Sequence, residues 1–497
     1  LGIIQKQSFY SSITLGLGII LGFVTSGILL PNYFTEEQNG LLTLLNSYSL
    51  IYSQFALMGL TTVIIRYYPH VKHQPSHGFL NFILLLGTVG FSLFLVFYYL
   101  SKSYFKEIFE RSPLFSEFYF LLVPWTLFIL FFYLFDAYAT AMKKTVRGFV
   151  MKDVIQRILI IVAMIWFIMH SSGNEKRAFT DFILQYSAII GFVTLLMFIP
   201  LIREKELSLS FQFTPTLKPF YKEMSRVAGY SFLLGISYVG VTNIDAIMIE
   251  RYISLEAAGI YGRNMFFGIM VALPYRILHK SSSGLLSEKF KENNVNEIRN
   301  IYYKSCLNQL IIGCFLFCVI WINIDHIYEI IPKSYEQGKY VIFFIGLGSL
   351  INMAGGVNTA VISFSPYFRW NTYFSIILLV LIVITNMAFI PLYGITGAAV
   401  ATTISLFLYN LGMYILLKLR YNFQPFNIKH ILVIIYSLLG IFVCIFIPNF
   451  SNFILDTLIK STVFSTVFGL LIFGTKISPD MNQFIEFMWK KISKQKN

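Results

Sequence analysis

Apolar runs of about 20 residues recur along the whole of this chain, separated by short polar connections. No other feature limits its folding as much. A run of that length crosses roughly 30 Å of hydrocarbon as a helix, and inside a bilayer only helices and closed barrels satisfy every backbone group. The runs fall near 9–30, 40–65, 77–100, 116–141, 150–170, 181–202, 226–250, 257–279, 301–323, 339–361, 371–390, 395–417, 430–448 and 453–474, fourteen in all. The least regular stretches are 260–285 and 340–365, where Pro274 and the Gly355-Gly356 pair interrupt. With 56% hydrophobic and 12% charged residues and a mean hydropathy of +0.69, the chain has too few polar groups to cover a water-soluble globule. The expected fold is an all-α polytopic membrane protein of about 14 transmembrane helices.

Within this pattern two connections repeat each other at a distance of 219 residues: Tyr33-Phe-Thr-Glu-Glu-Gln-Asn-Gly-Leu41 and Tyr252-Ile-Ser-Leu-Glu-Ala-Ala-Gly-Ile260. In each, Thr35 or Ser254 can cap the next helix and Glu37 or Glu256 sits in its first turn. Gly40 or Gly259 lets a neighbouring helix approach closely. About six apolar runs lie between the copies, and an even number returns the chain to the same side. Two parallel six-helix bundles follow, the architecture of transporters that rock about a central site. The expected organisation is an N-terminal bundle over 1–203, a cytoplasmic linker at 204–225 and a second bundle over 226–420. Two additional transmembrane helices at 421–475 and a basic amphipathic tail at 476–497 complete it.

The formal charge of +14 sorts by side. With a cytoplasmic N-terminus, alternate loops and both tails hold most of the 38 Lys and Arg, among them Lys143, Lys144, Arg147 and Lys152, then Lys280, Lys289 and Lys291. The positive-inside rule then puts both termini in the cytoplasm. This distribution fits a membrane surface and gives no reason to expect nucleic acid. In the tail, Met481, Phe484, Ile485, Met488 and Ile492 share a helical face apart from Lys490, Lys491, Lys494 and Lys496. That pattern suits a helix on an anionic leaflet, with a disordered basic tail as the alternative. The four cysteines lie in apolar runs with neither a disulfide framework nor metal spacing. The first apolar run reads as a first helix rather than a cleavable signal. No cofactor or metal is expected, and connections of about 15 residues at most on the outer side leave little room for a catalytic domain, so the chain does not read as an enzyme.

The sequence resembles the polysaccharide flippases of the multidrug/oligosaccharidyl-lipid/polysaccharide exporter superfamily, which include O-antigen and capsule repeat-unit flippases. The resemblance rests on Gly2-Ile-Ile-Gln-Lys-Gln-Ser8, on Leu30-Pro31 with the turn that follows, and on Asn243-Ile-Asp245 with Ala258-Gly-Ile-Tyr261. Its strongest part is Ile390-Pro-Leu-Tyr-Gly-Ile-Thr-Gly-Ala-Ala399. It implies two six-helix bundles around a cavity open alternately to either side, and a polyprenyl-diphosphate-linked glycan as substrate. Membrane lipids and the polysaccharide polymerase machinery would be its partners, in a bacterial inner membrane. Lipid II flippases, distant relatives, typically carry arginines in the first span, whereas Ser11 to Leu30 here has no charge. That departure counts against a lipid II substrate. A small-molecule exporter on the same fold and a membrane polysaccharide polymerase are the alternatives.

Such a ligand needs cations for its diphosphate, polar and aromatic groups for its sugars and a lateral opening for its tail. Charges within spans are costly by a few kcal/mol each and tend to face a cavity or a partner. Arg263, about two turns into the eighth span, is the foremost cavity cation, with snorkelling to the interface as the alternative. Arg276 and Lys280 could attract the diphosphate at the inner end, or simply be positive-inside residues. Asp245 and Asp136 are the carboxylates deepest in the apolar runs and are the coupling or gating candidates. Asp245 is placed to pair with Arg263, as a static tie or a breakable switch. Asp136 is placed to bridge to Lys143 or Lys144. Asp153 and Arg157, four apart, read as an interfacial helix pair, the Gly18-x-x-x-Gly22 step as a packing contact, and His70, His73 and His77 as a cytoplasmic loop without metal partners.

Overall fold

A computed structural model of the chain describes residues 14, 16–71, 78–102, 105, 110–171, 173–204, 206 and 219–483, with the backbone alone at 276, 277, 280 and 281. The opening motif at 2–8, His73, His77 and most of the basic tail lie outside these residues. Among the described residues there is no strand. In chain order the helices are α1 (Gly16–Tyr33), α2 (Glu36–Leu57), α3 (Leu60–Val71), α4 (Phe79–Ser101), α5 (Pro113–Ala141), α6 (Val146–His170), α7 (Glu175–Arg203), α8 (Tyr221–Tyr252) and α9 (Leu255–Ile269). They continue as α10 (Leu273–Lys291), α11 (Val295–Ile322), α12 (Ile324–Ile330), α13 (Lys333–Ala354), α14 (Asn358–Phe364), α15 (Arg369–Tyr421), α16 (Ile428–Ile445) and α17 (Phe453–Gly474).

Ten helices are long and apolar enough to cross a membrane, or up to twelve when each of two bent pairs is one span. The chain is a multi-pass helical membrane protein, as its apolar runs required. The 53-residue α15 is broken at Gly394 (φ 61°, ψ −141°). There the chain reverses and brings Thr385 Oγ1 to 3.2 Å from Ser405 Oγ, so α15 holds both runs expected at 371–390 and 395–417. The run near 257–279 is divided by a 3-10 turn at Met270–Ala272, just before Pro274. These helices are compatible with fourteen crossings.

Two compact units divide the chain, Leu1–Arg263 and Asn264–Asn497. At the centre of the first is α2, with Leu41, Leu44, Leu45, Tyr48 and Tyr52 buried. Its start is fixed locally. Thr35 Oγ1 accepts from Gln38 N–H at 3.2 Å, and Gln38 Oε1 accepts from Thr35 N–H at 3.1 Å, a capping box worth on the order of 1 kcal/mol. Phe34, just before the cap, makes edge contacts with Phe167 and Phe182, each at 4.8 Å between centroids. The second copy of the turn is capped in the same manner, Ser254 Oγ accepting from Ala257 N–H at 3.1 Å. Downstream, α2 ends in left-handed Met58 (φ 48°) and Gly59 (φ 75°), and α3 leaves at 43°.

The duplicated turns pack on each other. A Cβ on Gly40 would overlap the carbonyl of Leu255, and a Cβ on Gly259 would overlap the carbonyl of Glu36. The contact is therefore reciprocal, since Glu36 and Leu255 stand in the same relation to each other as Gly40 and Gly259 do. A Cβ on Gly262 would meet Thr43 Oγ1 at 2.8 Å, and these two positions are themselves equivalent under the 219-residue offset. Equivalent residues face one another only at a two-fold axis, so the start of α2 and the start of α9 cross about a local pseudo-two-fold.

In the second unit, one core gathers Tyr302, Cys306, Val357, Val361, Met413 and Phe423, and another joins α11 to α16 and α17 through Cys314, Cys318, Phe464 and Phe468. All four cysteines are buried free thiols. The second bent pair, α13 with α14, breaks by 46° at Gly355-Gly356, where Gly356 has φ 57°. The last helix is tied in at its start: Asp456 meets Lys460 at 2.6 Å and His326 at 2.5 Å.

Candidate functional site

Charged side chains of the first unit converge where α6 lies against α1. Both helices carry π-helical stretches, Phe23–Leu29 in α1 and Val150–Ile155 in α6. Such inserted residues shift the helical register and are frequent at functional sites. The Gly18-x-x-x-Gly22 step of α1 receives the Asp153 and Arg157 step of α6. A Cβ on Gly18 would lie 2.7 Å from Asp153 Cβ. At Gly22 it would overlap the Arg157 guanidinium, with Cζ only 2.7 Å away. The uncharged first span thus seats an arginine supplied by another helix.

Tyr186 of α7 is within electrostatic reach of these charges. Its ring stacks on buried Trp125 at 5.1 Å, and Arg263, Arg157 and Lys152 all act electrostatically on its hydroxyl. Lys152 Nζ donates to Tyr133 Oη at 2.8 Å and lies 4.8 Å from that ring's centroid. Asp153 and Asp136 are its charged neighbours. Lys152 keeps exposed surface. Arg263 is 8% exposed, too buried for snorkelling to an interface.

Asp245 is buried and accepts from the Tyr261 hydroxyl at 2.6 Å. Asp136 packs against Gly148, where a Cβ would overlap its Oδ1. Lys144 binds Glu204 at 2.6 Å, and Arg147 binds the same carboxylate at 2.7 Å. Burial pushes the Glu204 carboxyl up, but these two cations outweigh it and hold it below the ordinary glutamate range. Beside it, Tyr68 and Tyr138 donate to Glu206 at 3.0 and 2.8 Å. Arg276 and Lys280 lie on α10, and their side chains fall outside the described residues. His70 packs on Phe220 at 5.1 Å.

Three residues of this group escaped the sequence reading: Lys152 as a site residue, Arg157 and Tyr186. A signal existed. Gly18 and Gly22 share the four-residue spacing of Asp153 and Arg157, so a notched step and a charged step of equal pitch were both visible. Chemically, three cations outnumber two carboxylates here, so the group can offer charge-assisted hydrogen bonds to an anion. Each charge carries a desolvation cost that only a partner, a ligand or internal water offsets.

No protein-family description matches the chain, and no curated protein matches it. Solved structures do. Lipid II flippase MurJ in an inward closed conformation aligns with a TM-score of 0.74 at 16% identity, over 94% of this chain and 99% of that one. An inward-facing multidrug resistance MATE transporter of the MOP superfamily aligns at 0.65 and 12% identity, over 83% and 98%. A MOP superfamily transporter from Pyrococcus furiosus aligns at 0.61 and 13% identity, over 84% and 96%. The architecture of this chain is the one that MurJ and the MATE transporters of the MOP superfamily share.

Proposed function

We propose that the chain is a flippase that carries undecaprenyl-diphosphate-linked oligosaccharide repeat units across the bacterial inner membrane by alternating access. The product would feed O-antigen, capsule or exopolysaccharide assembly. The observation that carries this reading is the charged step of α6 set against α1, with the Arg157 guanidinium over Gly22 and Lys152 Nζ on Tyr133. A diphosphate offers several acceptors to such cations, and inside a low-dielectric site each charge-assisted bond is stronger than in water. The likeness to MurJ, over nearly the whole of both chains, supports a lipid-linked substrate. Arg276 and Lys280 are proposed to meet the diphosphate first. Asp245 and Asp136 remain the candidates for coupling or gating, and both termini are placed in the cytoplasm by the positive-inside rule.

The likeness to MATE transporters favours a second reading, a small-molecule exporter. Those chains cover 83% and 84% of this one, against 94% for MurJ, and the three cations argue for an anionic cargo. Deleting the gene and analysing the lipid-linked oligosaccharides decides between the readings. A flippase leaves complete, unpolymerised units on the cytoplasmic leaflet. Build-up on the outer leaflet would point to a polymerase, and unchanged lipid pools to an exporter of other cargo.

A further inference from the structure

In the second unit a set of neutral polar groups is arranged around the break between α13 and α14. Ser305 of α11 satisfies the bend itself: its Oγ accepts from Val357 N–H at 3.1 Å and donates to Tyr302 O at 2.7 Å. Asn358 Nδ2 donates to Asn410 Oδ1 at 3.0 Å, and Asn410 Nδ2 to Asn352 Oδ1 at 3.3 Å. At the next residue, Thr359 Oγ1 lies 2.9 Å from His279 Nε2 and 3.2 Å from the Tyr275 hydroxyl. Asn371, at the start of α15, donates to Thr359 O at 2.9 Å and to Ser363 Oγ at 2.5 Å. Its own Oδ1 is buried, and among the described residues no group donates to it. Trp370, adjacent in the chain, is 39% exposed and packs on Phe374 at 5.7 Å.

The chemistry of this cluster narrows its ligand. A diphosphate presents only acceptors, so the open acceptor of Asn371 would repel it. A metal cation needs several converging His, Cys, Asp or Glu ligands, and no such group occurs among the described residues. A hydrocarbon tail makes no hydrogen bonds at all. A sugar fits each element, because every hydroxyl both donates and accepts. One hydroxyl can donate to Asn371 Oδ1 while accepting from Ser363 or Thr359, and the C–H face of a pyranose packs on an indole such as Trp370. The cluster also lies at the end of the unit where Arg420 stands 5.0 Å over Tyr367 and Phe290 meets Tyr421, close to the basic residues Lys289, Lys291 and Arg369.

We infer that His279, Thr359, Ser363, Asn371 and Trp370 form a glycan-recognition subsite that reads the first sugars of the lipid-linked cargo at loading. This rests on the flippase reading and adds to it a place within the second unit where the sugar is read.

The test uses the full chain in lipid nanodiscs and two probes: undecaprenyl diphosphate without sugar, and the lipid-linked oligosaccharide that accumulates in native cells lacking the gene. Wild type should bind the glycosylated lipid roughly tenfold or more tighter than the bare one, the margin of one or two well-placed hydrogen bonds. Asn371→Leu and Thr359→Val should lose that margin while binding bare undecaprenyl diphosphate as wild type does. Ser363→Ala, at an exposed position, provides a milder variant that folds if the other two do not, and it should narrow the margin severalfold. An unchanged preference in correctly folded variants overturns the subsite, as does a wild type that binds both lipids equally. The flippase reading survives either result. It falls instead if wild type binds neither lipid.

Discussion

The two copies of the repeated turn have remained interchangeable, whereas the polar interiors of the two units have not. At the turns, Gly40 meets Leu255 as Gly259 meets Glu36, and Thr35 and Ser254 cap their helices with the same bond. Inside the units the described polar groups diverge: Lys152, Arg157, Arg263, Asp136 and Asp153 in the first, and in the second the amides, hydroxyls and imidazole around Thr359, with Asp456, Lys460 and His326 at the start of α17. The repeat keeps what places the helices and differs in the chemistry of its interiors. Packing contacts constrain both copies alike, because a carbonyl against a glycine tolerates no larger residue on either side. Ligand chemistry places no such demand on symmetry.

The sharpest way to break the comparison is to fix the symmetric part. Cysteines replacing Leu41 and Ile260, both buried at the crossing turns, should form a cross-link that stops export completely if the turns must part during transport. Full export by a verified cross-linked protein would show that the turns are only scaffold. Next in size, Arg157→Ala and Arg263→Ala should each lower transport about 10- to 100-fold at normal protein abundance, as expected when a charged hydrogen-bond partner is lost, and Arg157→Lys should restore part of it. If Arg263 instead serves as a static tie to Asp245, Arg263→Ala should chiefly lower abundance and the double variant with Asp245→Ala should recover.

Glycine substitutions separate the two kinds of contact more finely. Gly40→Ala and Gly259→Ala both press on backbone, so each should destabilise by about 1–3 kcal/mol, and the two should match within experimental error in thermal melts. A large inequality would end the claim of symmetry. Gly22→Ala meets only the mobile end of Arg157. It should leave the melting temperature nearly unchanged and reduce transport severalfold by displacing the guanidinium.

The smallest effect concerns Glu204. Its carboxyl is held below the ordinary 4.5 by Lys144 and Arg147, so its contribution is full above that value and fades as pH falls through the lower folded value. Glu204→Gln should cost roughly 0–1 kcal/mol at pH 7, and the gap from wild type should close in melts run progressively below pH 4.5.

Much of this arrangement was legible in the sequence, for identifiable reasons. Apolar length alone located the spans, because a bilayer leaves the backbone few alternatives. The caps at Thr35 and Ser254 followed from residue type and position, and the close approach at Gly40 and Gly259 from the absence of a side chain. The burial of Arg263 and Asp245 followed from their depth within apolar runs. The role of Arg157 was hidden, because its spacing from Asp153 equally describes an ordinary interfacial pair and only the opposing notch in α1 distinguishes them. A π-helical stretch leaves no reliable mark in sequence, so the side of α6 that carries Lys152 could not be read. The Thr359 cluster draws on α10, α14 and α15, up to 92 residues apart between His279 and Asn371, and no local pattern joins them.

The reciprocal crossing of the turns has one more consequence. Two helices that meet about an axis, residue for residue, form the kind of surface by which a half-length chain would associate with a second copy of itself. Joining the copies in one polypeptide replaces a concentration-dependent encounter with an effective concentration on the order of millimolar. Once partnership no longer depends on self-recognition across the whole surface, each half can accumulate changes that would have poisoned a homodimer. A cluster of cations facing an identical cluster would repel, whereas the same cluster present once does not.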